Sequence, residues 1–313
     1  MIYKNHENQD HTAGAHAHSL FAAYWALGTV LILLIIKTIA YYLSGSAALL
    51  ASLTDTLGDG LISLITLASI RISLMPADND HRFGHGKVEG FSAMLQSSFL
   101  IGASVFLIFE SGRRLLRPEA IDHHFLGIAV SVIAVILSVI LVRIQQRAIE
   151  KTQSLAIEAD QRHYMNDILI NGAVIIGLAF HYFTGMIWAD SLLGFIIALY
   201  IGWTGYEVGK KAADMLMDRE IEEDKRALIH SIVENFKGVY GMHDLRTRRS
   251  GMSIIISFDI ELDPDQSLRD AHAITREIEF TLLEEFPNAE ILIHKDPKGD
   301  TYDTRHKVHG VHH

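Results

Sequence analysis

Six long apolar segments occupy the first two-thirds of the chain and constrain its fold more than any other feature. A transmembrane helix needs roughly 20 mostly apolar residues, so the sequence predicts an α-helical membrane domain with six transmembrane helices. The first segment is too long for a signal peptide and lacks a cleavage pattern, which indicates a retained helix. The predicted spans are 20–43, 46–70, 91–112, 126–142, 159–183 and 187–208.

The composition agrees with a membrane protein that handles cations. Of 313 residues, 49% are hydrophobic and only 20% are charged, against about 25% in soluble proteins. Cysteine is absent, which excludes disulfides, thiol nucleophiles and thiolate metal sites. A net charge of −10 argues against nucleic acid as a partner. Because the sequence has no phosphate-binding glycine loop, we expect neither an enzyme nor an ATP-driven pump.

The last third of the chain is polar and acidic. Residues 212–300 hold 20 acidic and 11 basic side chains. Apolar spacing there predicts a small α+β domain with the order αββαβ, in which the first two strands form a hairpin. The predicted elements are a helix at 222–236, strands at 239–249 and 252–262, a helix at 268–286 and a strand at 289–294.

The domain organisation follows from these segments. We expect a transmembrane domain at 20–210 and a cytoplasmic domain at 211–300. Residues 1–19 and 301–313 are both rich in histidine, and we predict disordered tails there. Lys and Arg near the span ends concentrate on one side, so the N- and C-termini should both be cytoplasmic.

Four ionisable side chains lie inside two of the predicted spans. Asp55 and Asp59 are four residues apart on the second span, and His163 and Asp167 share that spacing on the fifth. Each pair therefore lies on one helix face. A charged Asp at the centre of a span costs roughly 2.5–3.5 kcal/mol. If the two faces meet, their four N and O ligands suit Zn²⁺, and other first-row divalent ions as well.

Other ionisable residues of the spans have simpler interpretations. Asp160, one turn before His163, is either a membrane-surface residue or part of a vestibule. Lys37 and Glu110 lie near span ends or can extend toward the membrane surface. Asp190 opens the sixth span, where an acid complements the helix dipole.

Several motifs resemble the cation diffusion facilitator family. One is Ser-Gly-Ser-Ala-Ala-Leu-Leu-Ala-Ser-Leu-Thr-Asp-Thr-Leu-Gly-Asp at 44–59, and another is His-Arg-Phe-Gly-His-Gly-Lys-Val-Glu at 81–89. The pair His163/Asp167 and the runs His-Asp-Leu-Arg-Thr-Arg at 243–248 and Ile-His-Lys-Asp-Pro at 293–297 complete the likeness. It covers residues 20–297 and is similar above all to the bacterial zinc and ferrous-iron efflux branch.

The resemblance implies a fold, an activity and a transport site. The expected fold has six transmembrane helices and a metallochaperone-like αββαβ domain, and the expected assembly is a homodimer. The expected activity is export of Zn²⁺, with Fe²⁺ or Cd²⁺ as further substrates, against protons across the lipid of the bacterial inner membrane. The implied transport ligands are Asp55, Asp59, His163 and Asp167.

The resemblance also implies metal sites outside the membrane. The loop after the second span contains Asp78, His81 and His85. Spacing alone leaves open whether these are ordinary surface residues, and the family binds a second ion there. In the last domain the family places a binuclear site at the dimer contact, and Asp259 stands where close relatives carry histidine. The ligands implied at that contact are His243, Asp259, His272, His294 and Asp296.

Lys87 and Asp218 correspond to a pair that links the membrane and cytoplasmic domains in the family. From the sequence alone both would be ordinary surface charges.

Three other functions stay open from the residues themselves. One is an exporter that prefers Mn²⁺, Co²⁺ or Ni²⁺. Another is a membrane-anchored metal sensor, although an anchor does not need charges inside its spans. The third is a passive channel, which should show a continuous polar path, whereas the polar groups here cluster at one depth.

Overall fold

The computed structural model describes residues 2–45, 47–116, 125–184 and 188–299. One compact unit is Gly14–Asp214, and the described part of the second consists of residues 2–13 and 215–299. The predicted C-terminal tail, 301–313, lies outside the described residues.

Six long helices form the first unit. Their runs of apolar residues contain no proline, so no helix is interrupted. The helices are α1 (Ile2–Ser44), α2 (Ala47–Ser73), α3 (Val88–Leu116), α4 (Phe125–Thr152), α5 (Leu155–Thr184) and α6 (Trp188–Leu216).

Among the described residues, five helices are long and apolar enough to cross a membrane, namely α1, α2, α3, α4 and α6. The exception, α5, carries Glu158, Asp160, Arg162 and Asp167 in its first half, which lowers its hydropathy. The predicted fifth span, 159–183, lies within α5 and contains these same ionisable residues from Asp160 to Asp167.

The helix α1 differs from the predicted disordered tail, because it already begins at Ile2. The sequence from 2 to 19 contains no proline and a single glycine, Gly14. Residues 2–19 therefore contain no strong helix breaker, and the helix of the apolar span can continue through them toward the N-terminus.

Glycines let α6 approach α3 closely. Ser97 Oγ donates to the carbonyl of Gly205 at 2.8 Å, and Ser104 Oγ donates to the carbonyl of Ala198 at 2.8 Å. A Cβ added at Gly209 would clash with Ser97 Oγ. Because glycine has no side chain, the two helices can approach closely enough for serine hydroxyls of α3 to hydrogen-bond with the backbone of α6.

The second unit contains a three-stranded sheet covered by two helices. The order helix, strand, strand, helix, strand is the predicted αββαβ order, and Ile229, Phe258 and Ile278 are fully buried in its core. The elements are α7 (Glu223–Glu234), β1 (Gly241–Ser250), β2 (Ser253–Leu262), α8 (Leu268–Glu285) and β3 (Ala289–Pro297).

The strand pairing follows from the connections. Strands β1 and β2 pair antiparallel across a tight turn at Gly251, whose φ is +60°. Strand β3 pairs parallel with β2, because α8 carries the chain back to the starting edge. The ladder of β1 is irregular between His243 and Arg246, where Asp244 has a φ of 55°.

Candidate metal centres

The structure brings three of the predicted membrane ligands together. One donor atom each from Asp59, His163 and Asp167 lies within 4.8 Å of the others. His163 Nε2 is 2.8 Å from Asp59 Oδ1 and 3.8 Å from Asp167 Oδ2. Helix α2 supplies the first residue and α5 the other two, so the contact joins the two helices.

These separations fit one small divalent ion. Donor atoms at about 2.1 Å from a tetrahedral Zn²⁺ lie about 3.4 Å from each other. The two distances from His163 bracket that value. The side chains of Asp59, His163 and Asp167 retain 12%, 16% and 24% exposure, so the donors are sheltered but accessible. The set can bind a cation and can equally bind protons.

The fourth predicted ligand, Asp55, lies outside this group of three. It is one turn from Asp59 on α2, and its side chain is exposed on the single chain. Its role as a ligand stays a prediction.

Lys37 corrects an expectation, because it does not extend to the membrane surface. Only 8% of the residue is exposed. Its Nζ donates to Thr56 Oγ1 at 2.5 Å and to the carbonyl oxygen of Ser52 at 3.1 Å. Thr56 is the residue after Asp55. The ammonium group of Lys37, on α1, is therefore hydrogen-bonded to α2 beside the candidate transport site.

Asp160 also differs from a surface residue, since it is fully buried. Gln145 Nε2 donates to its Oδ2 at 2.6 Å, and Thr66 Oγ1 lies 3.5 Å from its Oδ1. Gln96 Nε2 in turn donates to Thr66 Oγ1 at 3.1 Å. Four helices thus meet at a polar cluster, and only the acid among its members was noticed in the sequence.

The sequence motifs gave no role to Glu89, which is 1% exposed. Ser154 Oγ donates to its Oε2 at 2.6 Å, and Ser73 Oγ donates to its Oε1 at 3.1 Å. The carboxylate thereby connects α2, α3 and the start of α5. Its place in the first turn of α3, where the helix dipole favours an acid, is the signal that could have identified it.

The loop between α2 and α3 brings Asp78, His81 and His85 together, with donor atoms within 4.8 Å. His81 Nδ1 and His85 Nε2 each lie 3.3 Å from a carboxylate oxygen of Asp78. Gly84 has a φ of 74°, which permits the sharp turn between the two imidazoles. The backbone N–H of His81, which donates to Asp78 Oδ1 at 2.6 Å, holds the pKa of Asp78 below its usual value.

The C-terminal domain forms a third cluster from His243, Asp259 and Asp296. His243 Nε2 is 3.3 Å from Asp296 Oδ2, and His243 Nδ1 is 3.8 Å from Asp259 Oδ2. One imidazole between two carboxylates is again an N/O set that Zn²⁺ accepts. Partial burial, together with the neighbouring acid Asp296, raises the pKa of Asp259.

Two further predicted ligands of this domain lie around the cluster. His294 Nε2 is 3.1 Å from Asp296 Oδ1, so His294 contacts the cluster through that carboxylate. His272 is exposed on α8 and does not belong to the group within 4.8 Å. The register of the sheet places the other residues side by side. His243 of β1 pairs with Asp259 of β2, and Asp259 pairs with His294 of β3.

The predicted interdomain pair has one residue in each unit. Lys87 immediately precedes α3, and Asp218 follows α6, where it accepts from Arg248 Nη1 at 3.2 Å. The interdomain ion pair stays a prediction.

Comparison with known proteins gives the same division of the chain. A family model described as the cation efflux transmembrane domain matches residues 23–217. A second, described as the cation efflux protein cytoplasmic domain, matches residues 221–298.

Individual relatives match over most of their length. The chain is 43% identical to the cation-efflux pump FieF of Shewanella oneidensis over 87% of this chain and 92% of the relative. It is 41% identical to FieF of Yersinia pestis strain Pestoides F over 91% of this chain and 95% of the relative. The metal-bound C-terminal domain of the CzcD transporter from Thermotoga maritima is 30% identical, over 26% of this chain and all of that domain, with a TM-score of 0.24.

The family models together cover most of the chain, and the FieF relatives match both domains at once. The chain is therefore a multi-pass membrane protein of the cation diffusion facilitator family of cation-efflux transporters.

Proposed function

We propose that this protein exports divalent metal cations from the cytoplasm in exchange for protons, with Zn²⁺ as its principal substrate. The observation that carries the proposal is the convergence of Asp59, His163 and Asp167 within 4.8 Å, on two helices of the segment that matches the cation efflux transmembrane domain. Fe²⁺ and Cd²⁺ are further substrates of the same site. Asp55, one turn along α2, completes a four-ligand set when a metal is bound.

Competition between metal and protons couples the two movements. Metal ligands must be ionised carboxylates and neutral imidazole, so each bound proton disfavours the ion. On the cytoplasmic side the site loses protons and binds metal. On the opposite side protons enter and expel the metal. His163 is the proposed proton carrier of the set, because imidazole is the side chain whose charge ordinarily changes near neutral pH.

The mixed donor set supports Zn²⁺ as the substrate. Imidazole nitrogen with carboxylate oxygen suits Zn²⁺, whereas carboxylate, carbonyl and water ligands suit Mn²⁺ and other harder ions. His163 is the single nitrogen ligand among the residues that we assign to this site. The preference for Zn²⁺ therefore depends mainly on its ring.

We further propose that the protein lies in the bacterial inner membrane with both termini in the cytoplasm. Because the chain contains no cysteine, single cysteines can report the topology directly. A cysteine in place of Asp80, an exposed residue of the loop between α2 and α3, should react with a membrane-impermeant maleimide only after the membrane is permeabilised. Labelling of intact cells at that position would reverse the proposed orientation.

The C-terminal domain supports a homodimer whose contact responds to metal. The cluster of His243, Asp259 and Asp296 lies in a separately packed unit, and the family includes a dimerisation domain of this type. We propose that His272 and His294 join it when two copies meet. The loop cluster of Asp78, His81 and His85 is the proposed third metal site, on the cytoplasmic side of the membrane.

The test is uptake of metal by sealed proteoliposomes with the purified protein. A proton gradient, inside acidic, should drive Zn²⁺ inward through inside-out molecules, and dissipation of the gradient should abolish accumulation. Competition with Cd²⁺, Fe²⁺ and Mn²⁺ ranks the substrates. A membrane-anchored sensor would bind Zn²⁺ without uptake, and a passive channel would equilibrate it without accumulation.

A further inference from the structure

Lys37 holds a positive charge where a cation transporter needs negative charge. Its ammonium is buried, and two of its hydrogen bonds go to α2, to Thr56 Oγ1 at 2.5 Å and to the Ser52 carbonyl at 3.1 Å. Both acceptors are neutral, so these contacts alone do not balance the charge of the ammonium. A buried ammonium without a counterion is costly.

The counterions are the candidate transport ligands. Asp55 lies three residues after Ser52 and Asp59 lies three residues after Thr56 on α2, so each carboxylate is on the same helix face as one acceptor of the ammonium. Thr56 and Ser52 therefore fix the ammonium within electrostatic reach of the carboxylates, while neither hydrogen bond occupies a carboxylate oxygen that a metal would use.

We propose that Lys37 is a built-in countercharge that matches the transport site to a divalent cation. This inference rests on the proposed function. Three ionised carboxylates and one ammonium carry a formal net charge of −2, which a divalent ion cancels and a monovalent ion does not. Without Lys37 the same carboxylates would carry −3, and a bound divalent ion would leave the site charged within the membrane.

The countercharge also limits how tightly the metal is held. A fixed positive charge repels every cation in the site, so it weakens binding and favours release. A transporter needs a site that fills at the cytoplasmic concentration of its substrate and empties on the other side. Lys37 is thus a positioning and specificity residue that acts on the metal through its charge.

The sign of the effect separates this role from a structural one. Replacement K37M removes the charge and keeps an apolar side chain of similar length, and K37R keeps the charge. If Lys37 is a countercharge, K37M should lower the half-saturating Zn²⁺ concentration at least about tenfold and slow the maximal uptake. K37R should stay close to the unmodified protein. If the residue only holds α1 against α2, K37M should leave the half-saturating concentration unchanged or raise it.

The measurement is the initial rate of Zn²⁺ uptake by proteoliposomes as a function of Zn²⁺, at about pH 8, where protons compete least. K37Q serves as a second charge-removing variant if K37M does not form the folded dimer. If uptake by both becomes too slow to fit, calorimetric titration of the full-length dimer with Zn²⁺ decides, with tighter binding expected. Unchanged or weaker binding overturns the proposal.

A ligand variant distinguishes failure of this inference from failure of the proposed function. D59N should abolish uptake. If D59N transports like the unmodified protein, the transport site is wrong and the role of Lys37 falls with it. If D59N is inactive while K37M shows no tighter binding, the transport site stands and Lys37 alone is reassigned to structure.

Discussion

His163 Nε2 lies 2.8 Å from Asp59 Oδ1, and this contact joins the first third of α5 to the middle of α2. A helix interior in a membrane rarely contains an ionisable residue, and here two from different helices touch. The pair is the shortest contact of the candidate transport site, and it makes both residues direct tests of that site.

Replacement D59N should abolish Zn²⁺ uptake while the dimer stays folded, because a neutral amide binds a divalent ion far less well than a carboxylate. D167N should act in the same way. A matched control is E110Q, whose carboxylate lies on α3 and pairs with Arg113 and Arg114. Proteoliposome uptake checks the three variants, and full uptake by a folded D59N would contradict the site.

Replacement H163D should shift ion preference from Zn²⁺ toward Mn²⁺. The change turns a mixed N/O ligand set into an all-oxygen set, which suits harder ions. The ratio of Zn²⁺ to Mn²⁺ uptake under competition is the measurement. A Y164F variant, which changes the neighbouring buried ring that hydrogen-bonds with Ser63 at 2.8 Å, should keep the original ratio. An unchanged ratio in H163D would remove His163 from the selectivity ligands.

Replacement E89A should lower the stability of the membrane domain by about 1–3 kcal/mol, because it leaves the buried Ser154 hydroxyl without its acceptor. E89Q retains an oxygen acceptor and should lose less. S73A removes the half-buried hydroxyl that lies 3.1 Å from Oε1 and 3.0 Å from the Ile70 carbonyl oxygen, keeps the bond from Ser154, and is the milder control. Thermal unfolding of the detergent-solubilised dimer ranks the variants. Equal melting temperatures for E89A and the unmodified protein would show that this network contributes nothing.

Replacement D259N should stabilise the metal-free protein slightly at pH 7.5, by less than about 1 kcal/mol for a partly exposed group. The pKa of Asp259 is raised on folding, so its ionised form is disfavoured in the folded state. The gain is therefore fully present above the raised pKa and shrinks as pH falls toward the ordinary value of an aspartic acid. Thermal unfolding between about pH 4 and 7.5 checks the sign, and a gain that grows on acidification would refute the assignment.

The same position should control the response to metal. D259H supplies an imidazole where a carboxylate now stands, so Zn²⁺ should stabilise the D259H dimer more than the unmodified dimer, and D259N less. Anything that binds the folded dimer better than other states shifts the equilibrium toward it. Below about pH 6 the effect should vanish in all three, because protonated imidazole cannot coordinate. Sedimentation with and without Zn²⁺ is the readout.

Replacement G209A should separate α6 from α3. The added methyl group would displace the Ser97 hydroxyl, which donates to the carbonyl of Gly205 at 2.8 Å. We expect a loss of about 1–3 kcal/mol, as for other overpacked sites. The control is G172A on α5, where a Cβ would meet no atom within 4 Å. Equal thermal stability of the two variants would contradict the tight contact.

Spacing in the sequence could predict those parts of the site that lie on one helix. The i, i+4 pairs on α2 and α5 predict Asp55, Asp59, His163 and Asp167 as one ligand set. The structure brings the donor atoms of the last three together, whereas Asp55 lies outside that group. Composition and turn residues likewise predict the αββαβ order of the C-terminal domain.

Side-chain contacts between different helices could not be predicted from the sequence. The sequence predicts that Lys37 extends to the membrane surface, because its acceptors, the Ser52 carbonyl and the Thr56 hydroxyl, lie on another helix and carry no recognisable motif. The sequence leaves two interpretations of Asp160 for the same reason, since its partner Gln145 lies on α4. The burial of such groups depends on which helix faces pack together. Helical periodicity shows which residues share a face, but it does not show which faces of two helices are in contact.

The row His243, Asp259 and His294 crosses all three strands of the C-terminal sheet in one register. Side chains of a strand alternate between its two faces, so a slip by one residue would send one of the three to the opposite face. A metal ion bound by His243 and Asp259 of this row, together with Asp296 two residues beyond His294 on the same face of β3, would therefore stabilise only the sheet with this alignment of its strands. Zn²⁺ that is present during folding would then favour the correct strand register. Chains that fold without Zn²⁺ would contain a larger fraction of C-terminal domains with a shifted register.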